Sequence, residues 1–352
     1  MVVAGLVVRL EVIRRDVELW ETYQKESRSR GEDLGIDAWL PPAVADAENF
    51  VAHPWIAAMI ASETSPEAQV GREWADWQSN KLKDYIGPNE GKSWFEIHPD
   101  KAAVVMERGT PLAANFRAIR EAAGRPGCRL PSSVDHDTDR LSVALRPLSD
   151  TMEMLSIHAE AALAMDQEAI AVEDIEALLR MGDHLQSQHF LVAVLSGKRA
   201  KASALSLIEV GLAHERFSPA SRLRLRSALV LPPTAEEAAT TMRLERGMVL
   251  EKTGKLLGRR ATSERFLEGF LQPPARRVAR FNYSFCKVLD GVLQKPPTRV
   301  TWEAFDSLVE EAAKDLSSSE LAVGSVSVYR GIFPLFFSHA DRIERIRQQL
   351  AE

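Results

Sequence analysis

The chain has 352 residues, 45% of them apolar and 27% charged, and a net charge of −6. That length accommodates two ordinary domains with a substantial core, and the mixture is globular rather than disordered. The acidic balance gives no global electrostatic case for nucleic acid, and no run approaches the roughly 20 apolar residues of a membrane-spanning helix.

Val2 to Val8 is an apolar run that meets Arg9, Arg14 and Arg15. It is shorter than a signal-peptide core and lacks a basic region before it. An apolar run followed by arginines resembles the trailing end of a membrane segment, so an envelope location is expected. The competing reading is the first turns of a packed helix in a cytosolic protein. Residues 1–30 are expected to form an N-terminal amphipathic helix, with Leu10, Ile13, Val17, Trp20 and Tyr23 on one stripe and an end near Gly31.

Residues 31–146 are rich in proline and tryptophan. Prolines from Pro41 to Pro131 argue against long helices, so short helices, loops and a few strands around 93–97 and 102–106 are expected. The tryptophans would anchor this segment on a helical body, an aromatic binding groove being the alternative.

Residues 147–352 read as that body. Leu148, Met152, Leu155, Ala159 and Ala162 make one stripe, and Ala171, Ile175, Leu178, Gly182 and Leu185 a second. A short turn joins them, with Asp166 as the expected N-cap of the second helix. A third helix covers about 188–213, with a bend expected near Gly197. Ser218 and Pro219 open a fourth, and Thr234 with Glu237 forms a capping box for a fifth. Further helices are expected after Pro273–Pro274, after Pro296–Pro297, and from Ser338 to the end. The fold class is therefore mainly α, an irregular helical bundle or array with a loop-rich N-terminal segment.

The stretch from Trp20 to Trp55 resembles the start of uncharacterised proteins typical of Verrucomicrobia and related bacteria. The residues that carry the likeness are Trp20, Gly31, Leu34, Leu40, Pro41, Pro42, Val44, Asp46, Asn49, Phe50 and Pro54, with weaker similarity at Leu145–Leu148, Ile157–Leu163, Asp174–Leu179 and Leu244–Arg246. The resemblance implies an N-terminally anchored, mostly helical protein and supplies no catalytic residue. The chain departs from it in lacking a full anchor helix and a small C-terminal domain.

No catalytic motif is present: there is no GxSxG elbow, Walker lysine or GxGxxG after a strand. His158 and Glu160, with Glu153 one turn earlier, and His184 and His189, flanking the turn out of the following helix beside Asp183, are weighed as a metal site. His158, Glu160 and His184 are the dispersed residues of a hydrolase-like alternative. The five-residue spacing of His184 and His189 puts them on different helix faces, so no zincin pair forms, and neither metal nor cofactor is expected. Asp135, His136 and Asp137 read as a solvated turn. Cys286 reads as a packed thiol, and with Cys128 far away the two are independent thiols rather than a disulfide.

Residues 198–299 are strongly basic within an acidic chain. Arg259, Arg260, Arg276, Arg277 and Arg280 are the candidate anion-binding residues, for lipid headgroups or nucleic acid, although no specific nucleic-acid signal exists. Pairing with the acidic remainder of the chain explains them equally well. The leading expectation is a non-enzymatic helical interaction or scaffold protein at the bacterial envelope with a protein partner. The alternatives are a hydrolase-like enzyme with dispersed His and carboxylates, and an anion-binding module.

Overall fold

A computed structural model of the chain describes residues 18–32, 34–81, 99–131, 138–231, 234–258, 286, 289, 290, 293, 298, 307 and 332–351. The protein is mainly α. Among the described residues the sole β pairing is an isolated parallel bridge between Asn49 and Gly127, and no helix is long and apolar enough to cross a membrane. The chain divides into two units, one built from 1–40 with 233–338 and the other from 41–232 with 339–352. The run Val2–Val8, the Asp135–Asp137 cluster and the helices expected after Pro273 and Pro296 lie essentially outside the described residues.

The first unit contains α1 (residues 18–29), a 3-10 turn at Ile36–Ala38 and α10 (Thr234–Gly258). Trp20 and Tyr23, three apart on the expected stripe, are both buried and cluster with Leu250 and Cys286. The helix closes just before Gly31, whose φ of 76° only glycine adopts without strain. A charged group is buried beside this core. Arg246 donates to Asp290 at 2.5 Å and to Glu32 at 2.8 Å, and the Tyr23 hydroxyl donates to Asp290 at 3.1 Å. Burial raises the Asp290 carboxyl and the Tyr23 hydroxyl above their ordinary ranges.

The second unit holds α2 (Pro54–Ala61), α3 (Pro66–Lys81), α4 (Pro99–Gly109), α5 (Ala113–Ala123), α6 (Thr138–Ala164), α7 (Glu168–Gln186), α8 (Leu191–Ala213) and α9 (Pro219–Ala228). The helix α11 (Ile332–Gln349) belongs to it from His339 onward. Its centre is α7, packed by α5, α6, α8 and α9. Thirteen of its residues are buried, so it is surrounded rather than laid on a surface. At the crossing of α7 and α8 the two backbones nearly touch. A Cβ at Gly197 would stand 2.5 Å from the Gly182 carbonyl oxygen, and one at Gly182 would stand 2.9 Å from the Gly197 oxygen.

Several local expectations need correction. The prolines start helices rather than prevent them: Pro54, Pro66 and Pro99 each stand first in a helix, where the missing N–H costs nothing, and α3 runs for 16 residues. Residues 102–106 are helical, with Ala102 and Val105 buried three apart. Pro147 lies inside α6. The carbonyl it leaves unpaired belongs to Val143, an exposed residue, where water can replace the lost bond. Asp166 is not an N-cap. It has a φ of 55° and closes α6, with Gln167 N–H bonded back to the Ala162 oxygen at 2.8 Å. Its carboxylate pairs with Arg216 instead. The last helix starts at Ile332, six residues before Ser338, because Pro334 falls in its first turn and breaks no internal bond.

Other expectations hold. Ser218 caps α9, accepting from Ser221 N–H at 3.3 Å, with Pro219 first in the helix. The fifth helix begins at Thr234 itself. Trp20, Trp55 and Trp74 are buried anchors, and Trp74 meets Trp77 at a 5.3 Å ring separation.

Candidate functional site

The turn at Asp166 sets α6 and α7 antiparallel, and this brings His158 against Asp174, sixteen residues on. The imidazole Nδ1 lies 2.7 Å from Asp174 Oδ2, and Asp174 is fully buried. A carboxylate can only accept, so Nδ1 carries the proton. The other carboxylate oxygen accepts from Arg120 of α5, at 2.8 Å from Nε and 2.7 Å from an Nη atom. Arg120 also pairs with Glu173 at 2.8 Å. Phe116, one turn earlier on α5, stacks on the imidazole at 4.1 Å between centroids and 19° between planes. The ring is thus fixed in plane by Phe116 and in tautomer by Asp174.

His158 Nε2 makes no hydrogen bond among the described residues. It faces the end of α4, where a Cβ at Gly109 would stand 2.9 Å from it. This edge lines a cavity of about 890 Å³ between α5 and α7, with Arg117, Ala113 and Ala177 on its walls and Arg224 of α9 beside it. Arg224 is held by a two-pronged pair with Glu176 at 2.6 and 2.8 Å, which raises its pKa. Arg117 has no hydrogen bond or ion pair among the described residues. Glu107 and Glu121 also line the cavity, so its mouth carries both signs of charge.

Of the residues singled out from sequence, His158 is in this cavity. Glu160, two positions along α6, lines neither this cavity nor the next. His184 lies elsewhere: its Nε2 stands 3.1 Å from the Ala123 carbonyl oxygen, and it stacks on Phe50 at 4.8 Å. It borders a smaller cleft of about 510 Å³ beside Pro41 and Pro42, and burial lowers its pKa. His189 ends the turn into α8 with a φ of 60°. The structure therefore does not bring His158, Glu160 and His184 into one site. Arg259, Arg260, Arg276, Arg277 and Arg280 lie outside the described residues. Both cysteines are buried and free, and among the described residues no group of three or more His, Cys, Asp or Glu is arranged to hold a metal ion.

Asp174, Arg120, Phe116 and Gly109 were not singled out. Asp174 falls on the Ala171–Ile175–Leu178 stripe, and His158 lies between Leu155 and Ala162 on the preceding one. An acid and an imidazole on the apolar stripes of consecutive helices is the available signal. Nothing local announces Arg120 or Gly109.

A third buried histidine affects stability rather than the cavity. His339 of α11 is pushed down to about 3 by burial first, then by Lys198, Lys201 and Arg342. Below the ordinary histidine range the unfolded chain binds a proton that the folded chain refuses, so stability falls with pH through this window. The expected slope is about 1.4 kcal/mol per pH unit for the one proton. Unfolding midpoints in denaturant between pH 7 and pH 4 should fall less steeply for His339→Gln than for the wild type; equal slopes would remove His339 from the account.

Compared with known proteins, the chain matches no family model, no curated protein and no solved structure.

Proposed function

We propose that the second unit binds a small polar molecule in the cavity between α5 and α7, with His158 Nε2 as the group that meets it. The observation that carries this reading is the His158–Asp174 pair, in which one imidazole nitrogen is committed to a buried carboxylate and the other opens partnerless into the cavity. The volume falls within the range of small-molecule sites, and the lining is mostly charged or polar, with Ala113, Phe116, Ile170 and Ala177 among its apolar residues. The mixed charge of the mouth favours a polar or zwitterionic molecule over a simple anion.

The test is equilibrium dialysis of the purified protein against a cell metabolite extract, read by mass spectrometry. Ala113 is an exposed wall residue, so Ala113→Trp should obstruct the cavity without disturbing the core. A compound retained by the wild type and lost by Ala113→Trp supports the reading; identical profiles overturn it.

A second reading keeps the interaction scaffold. Leu223, Val230 and Leu231, in and just after α9, are exposed at 64%, 60% and 41%, which favours a protein partner on that side. An envelope location is part of this reading and rests on the Verrucomicrobia-type resemblance and the Val2–Val8 run.

A further inference from the structure

We infer that His158 is a general base that moves a proton within a small carbonyl compound bound in the cavity, an inference that rests on the binding reading above. Three features support chemistry beyond simple binding. The Nδ1 proton is fixed on Asp174, so the Nε2 lone pair is directed outward and an imidazolium formed there is stabilised by the carboxylate behind it. Asp174 itself is held by Arg120, so the base is oriented through two successive contacts. Arg117 lines the same cavity with no hydrogen bond or ion pair among the described residues, and is a free donor for an oxyanion.

The lining contains no serine or cysteine, and the hydroxyl of Thr110 donates to the Met106 carbonyl oxygen at 3.1 Å. A hydroxyl or thiol nucleophile is therefore not what these walls offer. A proton shift is. Nε2 takes the proton from the carbon beside the carbonyl, and the C–H electron pair becomes the double bond of the enolate. The carbonyl oxygen takes the negative charge and faces Arg117. The imidazolium then returns the proton to the same carbon from which it came or to a neighbouring atom of the enolate, giving an epimer or an isomer. Atoms and charge balance with no second reactant. Gly109 is the thin part of the wall that leaves Nε2 uncovered, since a methyl group there would press on it.

Two measurements on the full chain test this. Diethyl pyrocarbonate transfers an ethoxycarbonyl group to an accessible imidazole nitrogen, releasing carbon dioxide and ethanol, and peptide mapping then locates the adduct. His158 should be modified in the folded protein alongside exposed His214. If His214 reacts and His158 does not, Nε2 is unreachable, and both the binding reading and this inference fall. The second measurement uses 5-nitrobenzisoxazole, which reports proton abstraction because loss of its ring C–H breaks the N–O bond and releases a coloured phenolate. Wild type should exceed His158→Gln by about a hundred-fold, at the low end of general-base contributions, and Glu160→Gln should match the wild type. Modification of His158 with equal rates for wild type and His158→Gln would overturn the catalytic inference and leave the binding reading standing.

Discussion

Gly197→Ala is expected to cost about 3 kcal/mol of stability, the upper end of what overpacking a tight interior usually costs. The added methyl would sit 2.5 Å from the Gly182 carbonyl oxygen and 3.1 Å from the Gln186 nitrogen. Both are backbone atoms of a buried helix, so neither can swing aside as a side chain can. Relief requires α8 to back away from α7, which separates the most extensively packed helix pair in the second unit. A denaturant titration of Gly197→Ala should therefore show a large fall in midpoint. Gly31→Ala is the companion variant: it has open space around its Cβ but a φ of 76°, and should lose only about 1 kcal/mol to backbone strain. Equal losses at the two sites would mean that the helix crossing gives way easily.

Asp174→Ala should be as damaging or worse, with an expected loss of about 3–5 kcal/mol, the range for removing one partner of a buried ion pair. The carboxylate is fully buried and receives Arg120 on one oxygen and His158 on the other. Without it, a guanidinium and an imidazole N–H remain in the interior with one shared partner gone. The loss measures an abandoned charge more than the strength of an attraction. Combining Asp174→Leu with His158→Phe and Arg120→Met should therefore recover much of the stability, because an apolar replacement of the whole group needs no compensation. That variant should also bind nothing in the cavity. A triple variant no more stable than Asp174→Ala would show that local packing, rather than desolvation, controls the site.

The helices were legible in the sequence wherever an apolar stripe coincided with a boundary residue. Ala171, Ile175, Leu178 and Leu185 mark α7, and Ser218 with Pro219 marks the start of α9. The errors have a common physical origin. A proline has opposite meanings at the start and in the middle of a helix, and only its neighbours in space decide which applies. Pro99 begins α4, and Pro147 sits inside α6 because exposed Val143 can give its carbonyl to water. Asp166 illustrates the same ambiguity for a short acid at a turn. A capping role and a left-handed turn both suit aspartate, and the choice went to the turn, with the carboxylate taken by Arg216.

The site was half legible. His158 was a named candidate, but its partner was sought among nearby histidines and carboxylates rather than on the apolar face of the next helix. Helix pairing, not sequence spacing, joins His158 to Asp174, and Arg120 arrives from α5, more than fifty residues before Asp174. The association of residues 1–40 with 233–338 is of the same kind, since no local pattern encodes it.

The placement of the two cysteines makes the protein its own pair of probes. Cys128 belongs to one unit and Cys286 to the other, and the chain has no third. Both are buried. Cys128 is pushed up to about 12 by burial, and Cys286 is raised for the same reason, so neither reacts until its surroundings open. Cys128 lies in the segment that pairs with the strap around Asn49, where Phe50 N–H meets the Gly127 oxygen at 2.7 Å and Gln188 holds the Cys128 carbonyl at 2.8 Å. Its rate of alkylation therefore clocks release of that strap, while the rate at Cys286 clocks the loosening of the core around Trp20 and Tyr23. A single labelling time course on the unaltered chain, resolved by peptide mass, would yield two opening rates and show whether each unit opens at its own rate or both open at one.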